Sequence, residues 1–200
     1  MNDPKNTVSS PKRDGTPSFS AREVATRQAG PDDAALLHRI AAATFALACP
    51  PGTTQEAVAD FVASNLSETH FAGYLADESR DLLLVEVDGE AVGYTMLIAA
   101  EPTDSDVAAV VTARPTVELS KFYMLATAHG GGAAAVLMEA SVEAARARAA
   151  ASVWLGVNQQ NARANRFYEK HGFVNVGTKR FLVGGKWEDD FVRELPLSSR

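Results

Sequence analysis

Several things that the chain has little of narrow it first. Cys49 is the one cysteine among 200 residues, which excludes an intrachain disulfide and a cysteine-rich zinc site and fits a reducing compartment. A buried, inert thiol is the expectation there. No stretch reaches the roughly 20 apolar residues of a membrane-spanning helix, because charges interrupt every long hydrophobic segment. His38, His70, His129 and His171 show no metal-ligand spacing, so no metal is expected. Excess positive charge is missing too: 19 Lys and Arg against 25 Asp and Glu leave a formal net charge of -6, which argues against a general nucleic-acid binder. Residues 1–20 lack the apolar run of a signal peptide and are rich in Pro, Ser, Asn and charge. They read as a disordered tail ahead of one domain over 21–200. The expectation is a cytoplasmic protein with no nucleic-acid or membrane partner, a homodimer being left open.

What is present suits one globular domain, with 46% hydrophobic and 22% charged residues. "EVATRQAG" reads as a first strand. "PDDAALLHRIAAATFALA" opens with Pro31 and two aspartates and continues as a helix. A second helix follows Thr53 and Thr54, either of which can cap it, and "SETHFAGYLAD" adds a short third. "DLLLVEV" and "AVGYTMLIAA" are strands joined at Asp88-Gly89, a strong hairpin signal. "EPTDSDVAAVVTARP" reads as a surface loop. The strand "TVELSKFYMLA" then leads through a glycine turn into a helix to about Ala150. After it come the strand "SVWLGV", the helix "ARANRFYEKHG" stopped by Gly172, and two final strands.

The turn "AHGGGAAA" places three consecutive glycines, Gly130 to Gly132, between a strand and a helix. Glycine there costs roughly 0.5–1 kcal/mol relative to alanine, so the position has a use for bare backbone. N–H groups converge at the helix start and its dipole favours negative charge, which makes phosphate the natural ligand. A tight turn needing positive φ is the competing account. Gly130, Gly132 and Ala135 also satisfy a dinucleotide-binding spacing. That fold, however, needs an acidic residue at the end of the next strand, and residues 149–160 contain no Asp or Glu.

"ELSKFYMLATAHGGGAAAVLMEA" and "LGVNQQNARANRFYEKHGFVNVGTKRF" together resemble the acetyl-CoA-binding core of the GNAT N-acetyltransferases. The first segment matches the family's Q/R-x-x-G-x-G/A loop at His129, Gly132 and Ala134. The second matches its N-x-x-A-x-x-F-Y signature at Asn161, Ala164, Phe167 and Tyr168, and runs on through Lys170, Gly172 and Phe173. Within the family the chain looks most similar to polyamine and small-amine acetyltransferases of the PaiA kind. The resemblance implies an α/β (α+β) fold: a mixed, mostly antiparallel sheet with a V-shaped splay between two parallel strands and helices on both faces.

The resemblance also implies roles. The cofactor pyrophosphate rests on the N–H groups of His129, Gly130, Gly131, Gly132, Ala133 and Ala134. Pantetheine pairs with exposed strand backbone at Met124, and an N–H near Leu125 points at the thioester carbonyl. Tyr168 donates a proton to the departing thiolate, the alternative being a ring packed in the core. Asn161 bonds the cofactor or else caps the following helix. Glu118 is the candidate base, the alternative being a surface strand residue; alternation puts it on one face with Ser120, Phe122 and Met124. The activity implied is acetyl transfer from acetyl-CoA to a primary amine of a small molecule or peptide. His129 and Gly131 stand where the family favours other side chains, which keeps open a noncatalytic acyl-CoA-binding or regulatory domain.

Overall fold

The computed structural model describes residues 22–49, 52–183 and 186–197; the segment read above as a tail lies outside them. In chain order the elements are β1 (Val24–Gln28), α1 (Ala34–Ala48), α2 (Gln55–Asn65), α3 (Glu68–Ala76), β2 (Arg80–Val87) and β3 (Glu90–Ile98). Then come α4 (Ser105–Val110), β4 (Thr116–Met124), α5 (Ala133–Ala147), β5 (Ser152–Asn158), α6 (Ala162–Lys170), β6 (Val174–Val183) and β7 (Lys186–Pro196). Local chemistry sets these boundaries. The Thr54 hydroxyl accepts from the Ala57 N–H and the Ser67 hydroxyl from the His70 N–H, starting α2 and α3. Asp88 and Gly89 turn the β2–β3 hairpin with φ of 52° and 82°, the pair of positive values that a two-residue hairpin turn requires.

Among the described residues the strands form one sheet in the order β1-β2-β3-β4-β5-β7-β6, antiparallel at every step except β4–β5. β2 is buried on both faces: Leu82 and Leu84 meet α1 and α3, while Leu83 and Val85 meet α5. α6 covers Leu119, Leu155 and Val157 beside α5, so α5 and α6 share one face and α1 and α3 the other. The mixed sheet between two helical layers agrees with the fold expected from the sequence.

Two expectations need correcting. Residues 101–115 do not form a plain loop, because α4 lies within them. The Asp104 carboxylate accepts from the N–H groups of Asp106 and Val107 and so caps it. Val107 is buried, and Val110 fits over Gly177, where an added Cβ would come within 2.9 Å of it. A helix of six residues with one buried side chain is too short to show a helical period. The second correction concerns β4. Leu97 pairs with Leu119, but Met96 pairs with Lys121, so Ser120 is an unpaired extra residue, a β-bulge. It reverses the alternation. Glu118, Lys121 and Tyr123 share the face of Met96 and Tyr94, whereas Leu119, Phe122 and Met124 point toward α5 and α6.

β4 and β5 pair at only three positions, from Thr116 with Ser152 to Glu118 with Trp154. Beyond that, β4 stays with β3 while β5 pairs with β7 as far as Asn158 with Asp190. The two parallel strands therefore part in the middle of the sheet.

The close approach of β3 to β4 just there depends on Gly93. A Cβ on it would lie 2.7 Å from the Tyr123 carbonyl oxygen and overlap the Met124 sulfur. Gly93→Ala should cost about 1–3 kcal/mol of folding stability through this overpacking. A denaturant melt at constant m-value checks it, and an unchanged midpoint would show that the strand yields freely.

Candidate active site

Two cavities meet where β4 and β5 separate. The larger, of about 270 Å³, opens toward α1 and α2 and is bordered by Phe45, Phe61, Glu118, Lys121, Lys179 and Asp190. The smaller, of about 150 Å³, opens toward the glycine turn and is bordered by Met124, His129, Ala134, Arg163 and Phe167. Phe122, Tyr123, Asn161, Ala164 and Tyr168 belong to both walls. The gap between the strands is thus a passage through the sheet.

The glycine turn forms one end. β4 leaves through a short 3-10 turn at Ala126–Ala128, and Gly130 and Gly132 follow with φ of 82° and 84°. Both needs foreseen from the sequence coincide here, because these dihedrals favour glycine and nothing lies within 4 Å of a Cβ added at either position. No side chain caps α5 at Gly132. Its first N–H groups, at Ala133 and Ala134, have no intrahelical acceptors. They lie beside the bare glycine surface. The Leu125 N–H does not: it donates to the Val92 carbonyl at 2.8 Å. The expectation that it faces a ligand is corrected, and since N–H groups alternate along a strand, the Met124 N–H turns toward the splay instead.

Tyr168 stands in the partition between the cavities. Its ring packs against Phe122, Phe167 and Phe173 at centroid distances of 6.4, 5.6 and 5.7 Å. Burial holds its phenol well above the usual tyrosine range, so it stays protonated at neutral pH. No hydrogen bond joins its hydroxyl to another described residue. Asn161 caps α6 through Oδ1, which accepts from the Ala164 N–H at 3.0 Å. The cap uses only the oxygen, so the side-chain amide remains a donor on the wall of both cavities. Capping and ligand contact are compatible in one side chain.

α6 itself is held by a network around the buried Arg193. Arg193 on β7 donates to Asn165 Oδ1 at 3.0 Å and to Glu169 Oε1 at 2.7 Å. The Asn165 amide in turn donates to the carbonyls of Asn158 and Asn161. Asn165 is therefore buried and structural. The histidines other than His129 are similarly engaged: Nδ1 of His38, His70 and His171 lies within 2.8 Å of the Leu66 carbonyl, the Ser67 hydroxyl and the Phe167 carbonyl respectively.

Besides Glu118, the larger cavity carries charges that the sequence did not single out. Burial raises the Glu118 carboxyl, against the fields of Lys179 and Lys121. Asp190 is buried, and its carboxyl is pushed up to about 6, again mainly by burial. Lys179 and Asp190 are cross-strand partners lying against Gly156: a Cβ added there would be 2.5 Å from Lys179 Cε and 3.4 Å from Asp190 Oδ2. An unusual glycine within "SVWLGV" was the available signal. Cys49 borders the same cavity and is half-buried rather than buried, its thiol raised by burial.

Residues 47–173 match the sequence model of the Acetyltransferase (GNAT) family. The chain belongs to that family. An uncharacterized N-acetyltransferase of Mycobacterium tuberculosis is 47% identical to it over 165 residues, covering 82% of this chain and 98% of the relative. One of Lactobacillus delbrueckii is 27% identical over 77% of this chain and 86% of its own length. Among solved structures, the PaiA N-acetyltransferase of Thermoplasma acidophilum in complex with coenzyme A aligns with this GNAT chain at a TM-score of 0.69. It shares 16% identity over 88% of this chain and 99% of that one. The YncA structure from Salmonella typhimurium, solved with acetyl-CoA, aligns at 0.61 with 18% identity over 89% and 96%. The family makes the chain an N-acetyltransferase.

The buried Asp190 carboxyl sets a pH dependence. Its folded pKa of about 6 exceeds its unfolded value of 3.8, so between those values the folded state holds the extra proton and stability falls as pH rises. Asp190→Asn should melt above the wild type at pH 8, with the gap closing toward pH 4. A gap independent of pH would show that this carboxyl does not carry the effect.

Proposed function

We propose that this acetyltransferase transfers the acetyl group of acetyl-CoA to a primary amine of a small molecule or peptide by direct attack, with Tyr168 and Glu118 as its proton-handling residues. The observation that carries the reading is Tyr168, a protonated phenol in the partition between two cavities that meet at the β4–β5 splay. Donor and acceptor approach from opposite sides and meet beside one hydroxyl.

The glycine turn fits acetyl-CoA. Positive-φ glycines, open space above them and an uncapped helix start offer backbone donors and a favourable dipole to a pyrophosphate. His129, Gly130, Gly131, Gly132, Ala133 and Ala134 form that cradle. The Asn161 amide holds the pantetheine, and the Met124 N–H lies where negative charge develops on the carbonyl oxygen. When bound, acetyl-CoA supplies an acetyl group activated as a thioester. Glu118, made more basic by burial, takes a proton from the incoming ammonium. Tyr168 gives its proton to the leaving sulfur and is reprotonated by the second proton that the nitrogen loses as the amide forms. A dry site disfavours a thiolate as it disfavours a phenolate, so burial raises both partners of that transfer together.

Release of free thiol from acetyl-CoA in the presence of a panel of amines tests the function. Tyr168→Phe keeps the ring and should lower turnover about 10²–10⁴-fold. With no bond from its hydroxyl to a described residue, folding stability should stay within about 0.5 kcal/mol. A fully active Tyr168→Phe enzyme would remove the proton-donor role. Gly132→Glu sets a carboxylate against the phosphates and a side chain against the backbone donors. It should weaken acetyl-CoA binding by at least about tenfold in calorimetry, in line with one charge placed at a helix N-terminus; unchanged affinity in a folded variant would move the phosphate elsewhere.

A further inference from the structure

We infer that the acceptor taken by the larger cavity is an amine that also bears a carboxylate, and that Lys121 is the counter-charge for that carboxylate. The inference rests on the amine-acetylation reading above and names the substrate class within it. The cavity wall carries cations as well as anions. Of these, Lys179 lies beside Asp190, its cross-strand partner, over Gly156. Lys121 is placed differently. The bulge at Ser120 turns its side chain onto the cavity face, and the Thr95 hydroxyl fixes its backbone by donating to its carbonyl at 2.9 Å. Its ammonium lies 5.4 Å from the centre of the Tyr74 ring. Among the described residues no carboxylate comes within 4.0 Å of it.

A half-buried ammonium bordering a cavity without its own ion pair is a site for an anion. Burial loosens its proton, to a pKa of about 8, and an approaching carboxylate would reverse that effect by favouring the charged form. Glu118 occupies the same face two ladder positions away, roughly 7 Å along the strand. The cavity therefore presents a negative and a positive group at a spacing suited to a compact zwitterion, with the ammonium toward Glu118 and the carboxylate toward Lys121. A diamine would leave Lys121 without a counter-charge, its second ammonium having only Glu188 or Asp190 to turn to.

Matched acceptors test the inference near pH 7. Alanine against ethylamine, and 4-aminobutyrate against butylamine and 1,4-diaminobutane, differ chiefly in the group remote from the amine. The carboxylated member of at least one set should exceed its plain amine about 10–100-fold in kcat/KM, the range of one charge-assisted hydrogen bond. Lys121→Met should collapse that ratio, chiefly through KM, and Lys121→Arg should recover part of it. A thermal melt of each variant confirms folding. Calorimetry of the same acceptors on the CoA-loaded protein separates the two layers of the argument. Lys121-dependent binding of an amino acid without transfer would uphold the site and sink the acetylation reading. Transfer to amines that ignores the carboxylate, or a ratio that survives Lys121→Met, would overturn the inference and leave acetylation standing. No binding and no reaction of either carboxylated acceptor would overturn it as well.

Discussion

The early end of the β4–β5 ladder is the constraint on which the site depends. Two parallel strands in the middle of a sheet ordinarily satisfy each other's backbone groups along their length. Here the pairing stops after Glu118 and Trp154, while β4 continues along β3 and β5 continues along β7. The unpaired edges enclose the passage that joins the two cavities. A continuous sheet would have sealed it, and Tyr168, however placed on α6, would have been only a core aromatic.

Holding that gap open leaves polar groups in poorly solvated surroundings, and the structure contains them in two different ways. On the α6 side the groups are satisfied internally: Arg193, Asn165 and Glu169 bond to one another and to the backbone at the end of β5. That network ties the helix bearing Tyr168 to β7 and to the end of β5. On the side of the larger cavity the charges face the cavity, and burial displaces the carboxyls of Glu118 and Asp190 upward and the ammonium of Lys121 downward. Displaced ionisation of this kind clusters at functional sites.

The parts of this arrangement that were legible in the sequence are those in which one residue type has one physical reason to be there. Gly130 and Gly132 need positive φ, Asp88-Gly89 makes a hairpin, and Asn161 heads a helix whose next turn carries Tyr168. The seven strands and the long helices were readable for the same reason, since burial imposes periods of 2 and 3.6. What escaped depends on interactions across the chain. α4 is fixed by Asp104 and by the space above Gly177, neither of which leaves a period. Asp190 stands in a run of three acids, Glu188 to Asp190, and only the place of β7 between β5 and β6 buries it. Lys121 was hidden because alternation counted through Ser120 sends it to the wrong side.

That one extra residue makes β4 tolerant of chain length in a way that its composition does not suggest. Removing Ser120 would leave Glu118, Leu119, Lys121 and Phe122 in a plain alternation on the faces they already occupy. Were Ser120 instead drawn into a regular ladder, Lys121 and Tyr123 would be driven among the side chains of α5 and α6 while Phe122 and Met124 emerged into the larger cavity. The bulge thus absorbs a one-residue insertion that an unbroken ladder would turn into an exchange of faces. A relative that lacks this residue can therefore present the same charged face, and a one-residue gap here in an alignment marks a straighter strand and not a different cavity.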